Sequence, residues 1–277
     1  MKTHPHTRAD RRRPRRLAGL RAVITGGSSG VGRAVVRELA RQGCHCIATA
    51  RRAERLAELA RSPDPAAAAW PIIPMAGDIT SADFRRRLLD ECAARLGGLD
   101  IVVAAAGGGA VGAFREADPA TLRAVMELDF FAPAELVRAA LPLLGESVDP
   151  AVVFVGSILG LHPLPLHADY CAAKAALASL AGALRAELAP EGVDVLLASL
   201  GPTRSEFWDS LVAGRRPPWS DGAPITAEAA ARAIVGGLIR RRPEVLPGWS
   251  ATGFAAAARL CPWLIDAVVA RRRRQAP

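Results

Sequence analysis

The chain has 277 residues, 51% of them apolar, and a formal net charge of +9 at pH 7. This length fits one large domain or two small ones, and the apolar content suffices for a sizeable core. The charge does not by itself indicate a nucleic-acid binder, because twelve lysines and arginines lie in residues 1–21 and 271–277 and the remainder is nearly neutral. No run of about 20 uncharged apolar residues is present, so we expect no membrane-spanning helix.

Apolar, strand-like segments alternate with longer alanine-rich helical segments from Arg21 onward. The predicted strands are 22–26, 44–50, 71–79, 99–107, 151–157 and 193–201; the predicted helices are 31–43, 52–62, 81–97, about 119–144, and one containing Tyr170. Continuously apolar strands separated by helices are typical of a parallel sheet covered on both faces. The pattern therefore predicts an α/β, Rossmann-like, doubly wound sheet, which binds ligands at the carboxyl ends of its strands.

We divide the chain into three parts. Residues 1–18 are basic and proline-punctuated, which predicts a disordered leader, and residues 19–250 form the single α/β domain. Residues 251–277 are an apolar helical extension that ends in four arginines. Two interpretations of the extension stay open: a helix packed on the domain or on a sister subunit, and a surface-lying membrane anchor.

The five cysteines, Cys44, Cys46, Cys92, Cys171 and Cys261, show no metal-ligand spacing. We expect reduced, mostly packed thiols and no metal site. The basic start lacks the apolar segment of an export signal, so we expect a cytoplasmic protein, with peripheral membrane contact as the alternative.

The segment Thr25–Gly32, TGGSSGVG, joins the first predicted strand to the first helix. Glycines here allow a tight turn and let the backbone approach a pyrophosphate at the helix N-terminus. After the second strand, where an acid would hold the ribose of NAD, the chain has Arg51 and Arg52. Guanidinium groups suit the 2′-phosphate of NADP, so we expect NADP(H) rather than NAD(H).

Tyr170 is the only tyrosine, and Lys174 is one of two lysines in a chain with many arginines. Residues at i and i+4 share a helix face. A lysine there can lower the pKa of a tyrosine and make its hydroxyl a usable acid or base.

With TGGSSGVG, Asp78, Ser157, YCAAK and SLGPTRSEF, the chain resembles the short-chain dehydrogenase/reductase family over about residues 20–250. The resemblance implies catalysis by Ser157, Tyr170 and Lys174: Ser157 orients the substrate oxygen, Tyr170 transfers the proton, and Lys174 also holds the nicotinamide ribose. It implies that further residues contact the cofactor, namely Gly26, Ser28, Ser29, Gly30, Val31, Gly32, Arg51, Arg52, Asp78, Ile79, Gly107, Thr203 and Ser205.

The chain departs from the family at its asparagines, since it contains none. The family's stretch after the fourth strand is here Ala104–Gly107, so we expect its side-chain bracing to be lost. The family's fourth catalytic residue is replaced by Asp129, which accepts hydrogen bonds but cannot donate as an amide does.

The segments expected to frame the substrate, 158–169 and 206–224, are rich in Leu, Pro, Phe and Trp, which predicts an apolar carbonyl or alcohol. His162 and His167 are either substrate contacts or half-exposed loop residues. The leading hypothesis is an NADP(H)-dependent oxidoreductase that assembles as a homodimer or homotetramer and binds no nucleic acid. A sensor or scaffold that binds NADP(H) with little turnover is the alternative.

Overall fold

The computed structural model describes residues 13–61, 71–216 and 224–275. The described strands are β1 (Arg21–Thr25), β2 (His45–Ala50), β3 (Ile72–Ala76), β4 (Ile101–Ala104), β5 (Ala151–Ser157), β6 (Asp194–Leu200), β7 (Thr203–Arg204), β8 (Ile225–Thr226) and β9 (Glu244–Val245). The α-helices are α1 (Gly30–Arg41), α2 (Ala53–Ala60), α3 (Ala82–Glu91), α4 (Pro119–Met126), α5 (Ala132–Leu144), α6 (Ala168–Glu187), α7 (Ala227–Ile239), α8 (Trp249–Leu260) and α9 (Pro262–Gln275).

Seven strands form one parallel sheet in the order β3-β2-β1-β4-β5-β6-β9, and β7 and β8 form a separate two-stranded ladder. The strand order reverses between β1 and β4. Loops that leave the carboxyl ends of these two strands diverge, which creates a crevice for a ligand. The doubly wound α/β fold is therefore confirmed.

Successive residues of a strand point to opposite faces of the sheet. Consecutive strand residues are buried here, so both faces of the sheet are covered. Ala22 and Ile24 of β1 join the core that includes α1 and α7, whereas Val23 joins the core that includes α5 and α6. This two-sided burial explains why the strands are continuously apolar.

Several element boundaries differ from the predicted ones. The predicted helix at 119–144 is divided into α4 and α5 by a π-helical turn, Glu127–Phe131, which carries Asp129. The short strand β9 was not predicted, because two residues are too few for a hydrophobic pattern.

The prediction of a disordered leader does not hold for residues 13–18. The buried guanidinium of Arg15 lies 2.9 Å from Asp149 Oδ1 and 2.8 Å from Asp194 Oδ2, and Leu17 is buried in the core. These two carboxylates, at the starts of β5 and β6, compensate the buried charge. Residues 1–12 lie outside the described residues.

Helices α8 and α9 follow the predicted domain. Ala251 and Ala255 of α8 are buried, whereas α9 exposes Trp263, Leu264 and Val268. Within the described ranges, no single helix is long and apolar enough to cross a membrane. Trp249–Leu260 and Pro262–Ala270 are long and apolar enough only when taken together, and the chain bends by 110° between them.

Candidate active site

The candidate residues follow the carboxyl ends of β1 to β6 or lie at the start of α6, along the crevice. Thr25 ends β1 and Ser157 ends β5, while Tyr170 and Lys174 lie in the first two turns of α6. The parallel sheet thus brings together groups that are more than 130 residues apart in the chain.

The glycine loop between β1 and α1 is tightly folded. Gly26 and Gly30 have φ values of +70° and +51°, which L-residues with side chains rarely adopt. A Cβ on Gly32 would lie 2.3 Å from the carbonyl oxygen of Gly26, so only glycine lets the first turn of α1 pack on the loop. The N-terminus of α1 is thereby opened towards the crevice.

Thr25 braces the end of β4. Its Oγ1 accepts hydrogen bonds from the backbone N–H groups of Ala105 (3.0 Å) and Ala106 (2.9 Å). The expectation that bracing is lost with the family's asparagines is therefore wrong, because a hydroxyl on the neighbouring strand supplies it.

Arg52 contacts the glycine loop, whereas Arg51 does not take part in that contact. The Arg52 Nη2 donates to Ser28 Oγ (3.1 Å) and Ser29 Oγ (2.5 Å), so this guanidinium lies beside the glycine loop. Its pKa is lowered by burial and by the charge of Arg55. Arg51 is exposed.

The Asp78–Ile79 pair follows β3. The Asp78 Oδ1 accepts hydrogen bonds from the backbone N–H (3.0 Å) and the hydroxyl (2.9 Å) of Thr80, which fixes a tight turn. The Ile79 side chain is buried in the core.

Ser157 and Tyr170 are brought together by close backbone packing. A Cβ on Gly160 would lie 2.7 Å from the carbonyl oxygen of Lys174, so the turn after Ser157 rests directly on α6. Ser157 Oγ accepts a hydrogen bond from the Leu159 N–H at 3.1 Å, and Ser157 is near enough to Tyr170 to lower the pKa of its hydroxyl. The side chains of Ser157 and Tyr170 therefore lie close together in the crevice.

Lys174 is held by Asp129 in a buried ion pair. Its Nζ lies 2.8 Å from Asp129 Oδ1 and donates to the Val155 carbonyl oxygen at 3.2 Å. Asp129 Oδ2 accepts from the backbone N–H of Gly108 at 3.1 Å. A Cβ on Gly107 would lie 2.7 Å from Asp129 Oδ1, so glycine is needed beside this pair.

The electrostatics of Tyr170 differ from the sequence-based expectation. Burial raises its pKa, the charge of Lys174 lowers it, and the charge of Asp129 raises it again, with a net upward shift. The expected lowering by Lys174 is present but is outweighed. Burial likewise raises the pKa of Asp129 against the opposing effect of Lys174. The Lys174 pKa is raised, since Asp129 and Tyr170 together outweigh its desolvation.

The segment after β6 covers both parts of the site. Thr203 Oγ1 donates to the Gly201 carbonyl oxygen at 3.0 Å, and Ser205 lies against Gly30. The ring of Phe207 packs on Tyr170, with 5.5 Å between centroids.

Three charged residues that the sequence analysis did not name also lie here. Glu206 Oε2 accepts from the Gly30 N–H at 2.9 Å, and its Oε1 lies 3.4 Å from Arg55 Nη1 and 3.9 Å from Arg33 Nη2. Position alone could have suggested the two arginines, which follow the glycine loop and β2. No pattern in the sequence indicates that Glu206 meets them.

The two histidines lie between β5 and α6. His162 Nε2 lies 3.0 Å from Asp266 Oδ1 of α9, and its ring contacts Phe254 of α8. His167 is buried, which lowers its pKa. In the described part of the chain, no group of three or more His, Cys, Asp or Glu residues could hold a metal ion.

Comparison with known proteins adds to this geometry. The model of the short-chain dehydrogenase family matches residues 21–216. A short-chain dehydrogenase from Pseudocercospora fijiensis is 37% identical over 67% of this chain, and the match spans 60% of that protein's length. The hydroxysteroid 11-beta-dehydrogenase 1-like protein A of Xenopus laevis is 31% identical over 92% of this chain and 87% of its own.

Solved structures show the same fold. A short-chain dehydrogenase from Streptomyces avermitilis superposes with a TM-score of 0.76 at 30% identity, covering 92% of this chain and 96% of that one. A short-chain dehydrogenase from Burkholderia cenocepacia in complex with NADP has a TM-score of 0.76 at 28% identity, with 92% and 99% covered. The chain belongs to the short-chain dehydrogenase/reductase family, whose members are oxidoreductases of alcohol and carbonyl groups.

Proposed function

We propose that this oxidoreductase uses NADP(H) to interconvert an apolar carbonyl compound and its alcohol, with Tyr170 as the proton donor and acceptor. The observation that carries the proposal is the convergence of Ser157, Tyr170 and the Lys174–Asp129 ion pair at the carboxyl ends of the central strands. A sensor or scaffold with little turnover is not favoured, because binding alone does not require these groups to meet.

The residues around the glycine loop fit a dinucleotide phosphate. The N-terminus of α1 already holds an anionic group, the carboxylate of Glu206, at the backbone N–H of Gly30. Arg52 lies beside the loop, and Arg33 and Arg55 approach the same carboxylate. We infer that Gly26, Gly30 and Gly32 bind the pyrophosphate and that Arg52 favours the 2′-phosphate of NADP, with Arg51 as a second, exposed cation. The NADP complex of the Burkholderia relative supports this choice.

The expected contacts with the rest of the cofactor remain proposals. Asp78 and Ile79 would flank the adenine, while Thr203 and Ser205 would contact the carboxamide. Gly107 leaves room beside Lys174, which would hold the nicotinamide ribose.

In the proposed reduction, the cofactor supplies hydride to the carbonyl carbon. Ser157 donates a hydrogen bond to the substrate oxygen and orients it. Tyr170 transfers its phenolic proton to that oxygen as the C–H bond forms, so an alcohol and a tyrosinate result. Lys174 stabilises the tyrosinate by its charge. Asp129 fixes the ammonium and holds the Gly108 backbone, but its own charge opposes formation of the tyrosinate.

The raised pKa of Tyr170 keeps its phenol protonated, which is the form that reduction needs. A phenol whose pKa lies above its usual value of 10 stays protonated at neutral pH and can donate without prior activation. Oxidation of an alcohol would need the rarer tyrosinate as its base.

A bulky apolar substrate fits the covering segments. Phe207 packs on Tyr170, and Leu211 reaches Gly109, so the side opposite the cofactor loop is apolar. The names of the hydroxysteroid dehydrogenase-like relatives refer to steroids, which are large alicyclic compounds. We therefore infer a ketone or secondary alcohol of alicyclic type.

The test is NADPH oxidation, followed by absorbance, across alicyclic ketones, short aliphatic ketones and aldehydes, with the Tyr170→Phe variant as control. Turnover of alicyclic ketones that is lost in the variant supports the proposal. Binding of NADPH without turnover of any carbonyl compound would support the sensor alternative instead.

The exposed apolar residues of α9 suggest that this helix contacts a surface outside the chain. Trp263, Leu264 and Val268 are exposed on one side of this helix, and the sequence continues with Arg271–Arg274. We propose that this face contacts an anionic lipid surface, because tryptophan and arginine suit the boundary between headgroups and acyl chains.

Sedimentation with phospholipid vesicles tests this contact. Wild type should bind vesicles that contain anionic lipid and should release them in high salt, whereas a Trp263→Ser, Leu264→Ser variant should not bind. Light scattering on both proteins measures the proposed homodimer or homotetramer. Loss of the oligomer in the variant, without vesicle binding by wild type, would show that α9 contacts a sister subunit.

A further inference from the structure

The helix α1 has an unusual N-terminal partner. The side chain of its N-cap residue, Ser29, accepts no hydrogen bond from the helix; the hydroxyl instead contacts Arg52 at 2.5 Å. The N–H of Gly30 is taken by the carboxylate of Glu206, which is 176 positions away in the sequence, at 2.9 Å. A carboxylate is stabilised there by the partial positive charge of the helix terminus.

The same N–H group belongs to the proposed pyrophosphate site. A helix N-terminus after a glycine loop binds one anionic group at a time, since two anions in contact would repel each other. The Glu206 carboxylate also lies near Arg33 and Arg55, so it neutralises part of the positive charge that would attract the cofactor.

Glu206 is part of a segment that is attached to the site at several points. It begins the 3₁₀ turn Glu206–Ser210, whose Phe207 packs on Tyr170. Two residues beyond that turn, the Val212 N–H donates to the Gly109 carbonyl oxygen at 2.7 Å. One segment therefore covers the phosphate end of the crevice through Glu206 and the proton-transfer end through Phe207.

We propose that Glu206 is an intramolecular competitor of the cofactor's pyrophosphate and holds the 203–213 segment over the active site until the cofactor displaces it. Displacement transfers the Gly30 N–H from a carboxylate to a phosphate oxygen and frees the segment at its phosphate end. The affinity for NADP(H) is then set by Glu206 as well as by the arginines. This inference rests on the proposed function, because it concerns the binding of NADP(H).

The competition predicts a gain of affinity on removal of the charge. Glu206→Gln keeps the side-chain shape but weakens the contact with the Gly30 N–H and leaves Arg33 and Arg55 available. We expect NADPH to bind roughly tenfold more tightly, as expected when one partly exposed, charge-assisted hydrogen bond is lost from the competing state. Asp209→Asn removes the same charge from an exposed position of the same turn and is the matched control.

The experiment combines calorimetric titration with NADPH and amide hydrogen exchange without cofactor, on wild type, Glu206→Gln and Asp209→Asn. Tighter binding and faster exchange of residues 203–213 in Glu206→Gln alone are expected. Equal NADPH affinity in wild type and Glu206→Gln would overturn the inference and leave the proposed function intact, as would an equal gain in Asp209→Asn. Failure of all three proteins to bind NADPH would overturn the proposed function, and the competition with it, even if the exchange of Glu206→Gln were faster.

Discussion

The two ends of the crevice are built in opposite ways. At the proton-transfer end, the charges of Lys174 and Asp129 are both buried, with side chains 6% and 0% exposed. At the phosphate end, the side chains of Arg33, Arg55 and Glu206 are 31–41% exposed. Buried charges act strongly on one another, whereas exposed ones are weakened by water and salt. The buried end is therefore suited to set a fixed proton affinity, and the exposed end to exchange one anion for another.

The largest expected effect is at the buried end. Tyr170→Phe removes the transferable proton and leaves the ring and its packing on Phe207. We expect turnover to fall by about a thousandfold, the contribution of general acid catalysis, with NADPH affinity nearly unchanged. Steady-state rates and calorimetric titration measure the two quantities. A variant that keeps most of its activity would show that another group supplies the proton.

Lys174→Ala should damage catalysis, cofactor binding and stability together. It removes the proposed ribose contact and the proposed stabiliser of the tyrosinate, and it leaves Asp129 buried without its cation. We expect the free energy of unfolding to fall by about 3 kcal/mol at neutral pH, as for a broken buried pair. Urea denaturation measures the change, and Lys174→Ala combined with Asp129→Asn should recover part of it. No recovery in the double variant would contradict a buried ion pair.

At the exposed end, Arg51→Ala with Arg52→Ala should weaken NADPH binding by about 10- to 100-fold and should spare NADH, since only NADPH carries the 2′-phosphate. Titration of both cofactors measures this selectivity. Because only Arg52 contacts the glycine loop, Arg51→Ala alone should have the smaller effect. Equal affinities of wild type for NADPH and NADH would contradict the assignment.

The smallest expected effect concerns the charge of Asp129 at the buried end. Asp129→Asn removes a charge that raises the Tyr170 pKa, so this pKa should fall towards its usual value. Reduction needs the protonated phenol and is lost as pH rises through that pKa. The basic limb of the kcat/KM profile should therefore move to lower pH, by about one unit, with activity retained. An unchanged profile would show that Asp129 only holds Lys174 in place.

Much of the proton-transfer end could be predicted from the sequence, for a physical reason. Tyr170 and Lys174 lie on one face of one helix, and Ser157 ends a strand whose apolar pattern is continuous, so local periodicity places all three. The family pattern indicates the catalytic position of Asp129, but its 2.8 Å contact with Lys174 depends on the π-helical turn at 127–131.

The phosphate end was predicted less completely. The glycines and Arg52 follow from local patterns, since they adjoin β1 and β2. Glu206 and the bracing by Thr25 depend on contacts between segments that are 80 to 176 residues apart. Such contacts are decided by how the sheet and its covering segment pack, which no local pattern encodes. The net direction of the Tyr170 pKa shift likewise needs the burial of the ring, which the sequence does not give.

The proposed hydride transfer can be followed with NADPH that carries deuterium at both C4 positions of the nicotinamide and with an alicyclic ketone as substrate. Wild type should form an alcohol that is one mass unit heavier, with the label on the carbinol carbon. The Tyr170→Phe variant should form almost none of this alcohol, although it binds NADPH. Alcohol that carries no label would contradict the proposed hydride transfer. Equal amounts of labelled alcohol from the Tyr170→Phe variant would contradict the role of Tyr170 as proton donor.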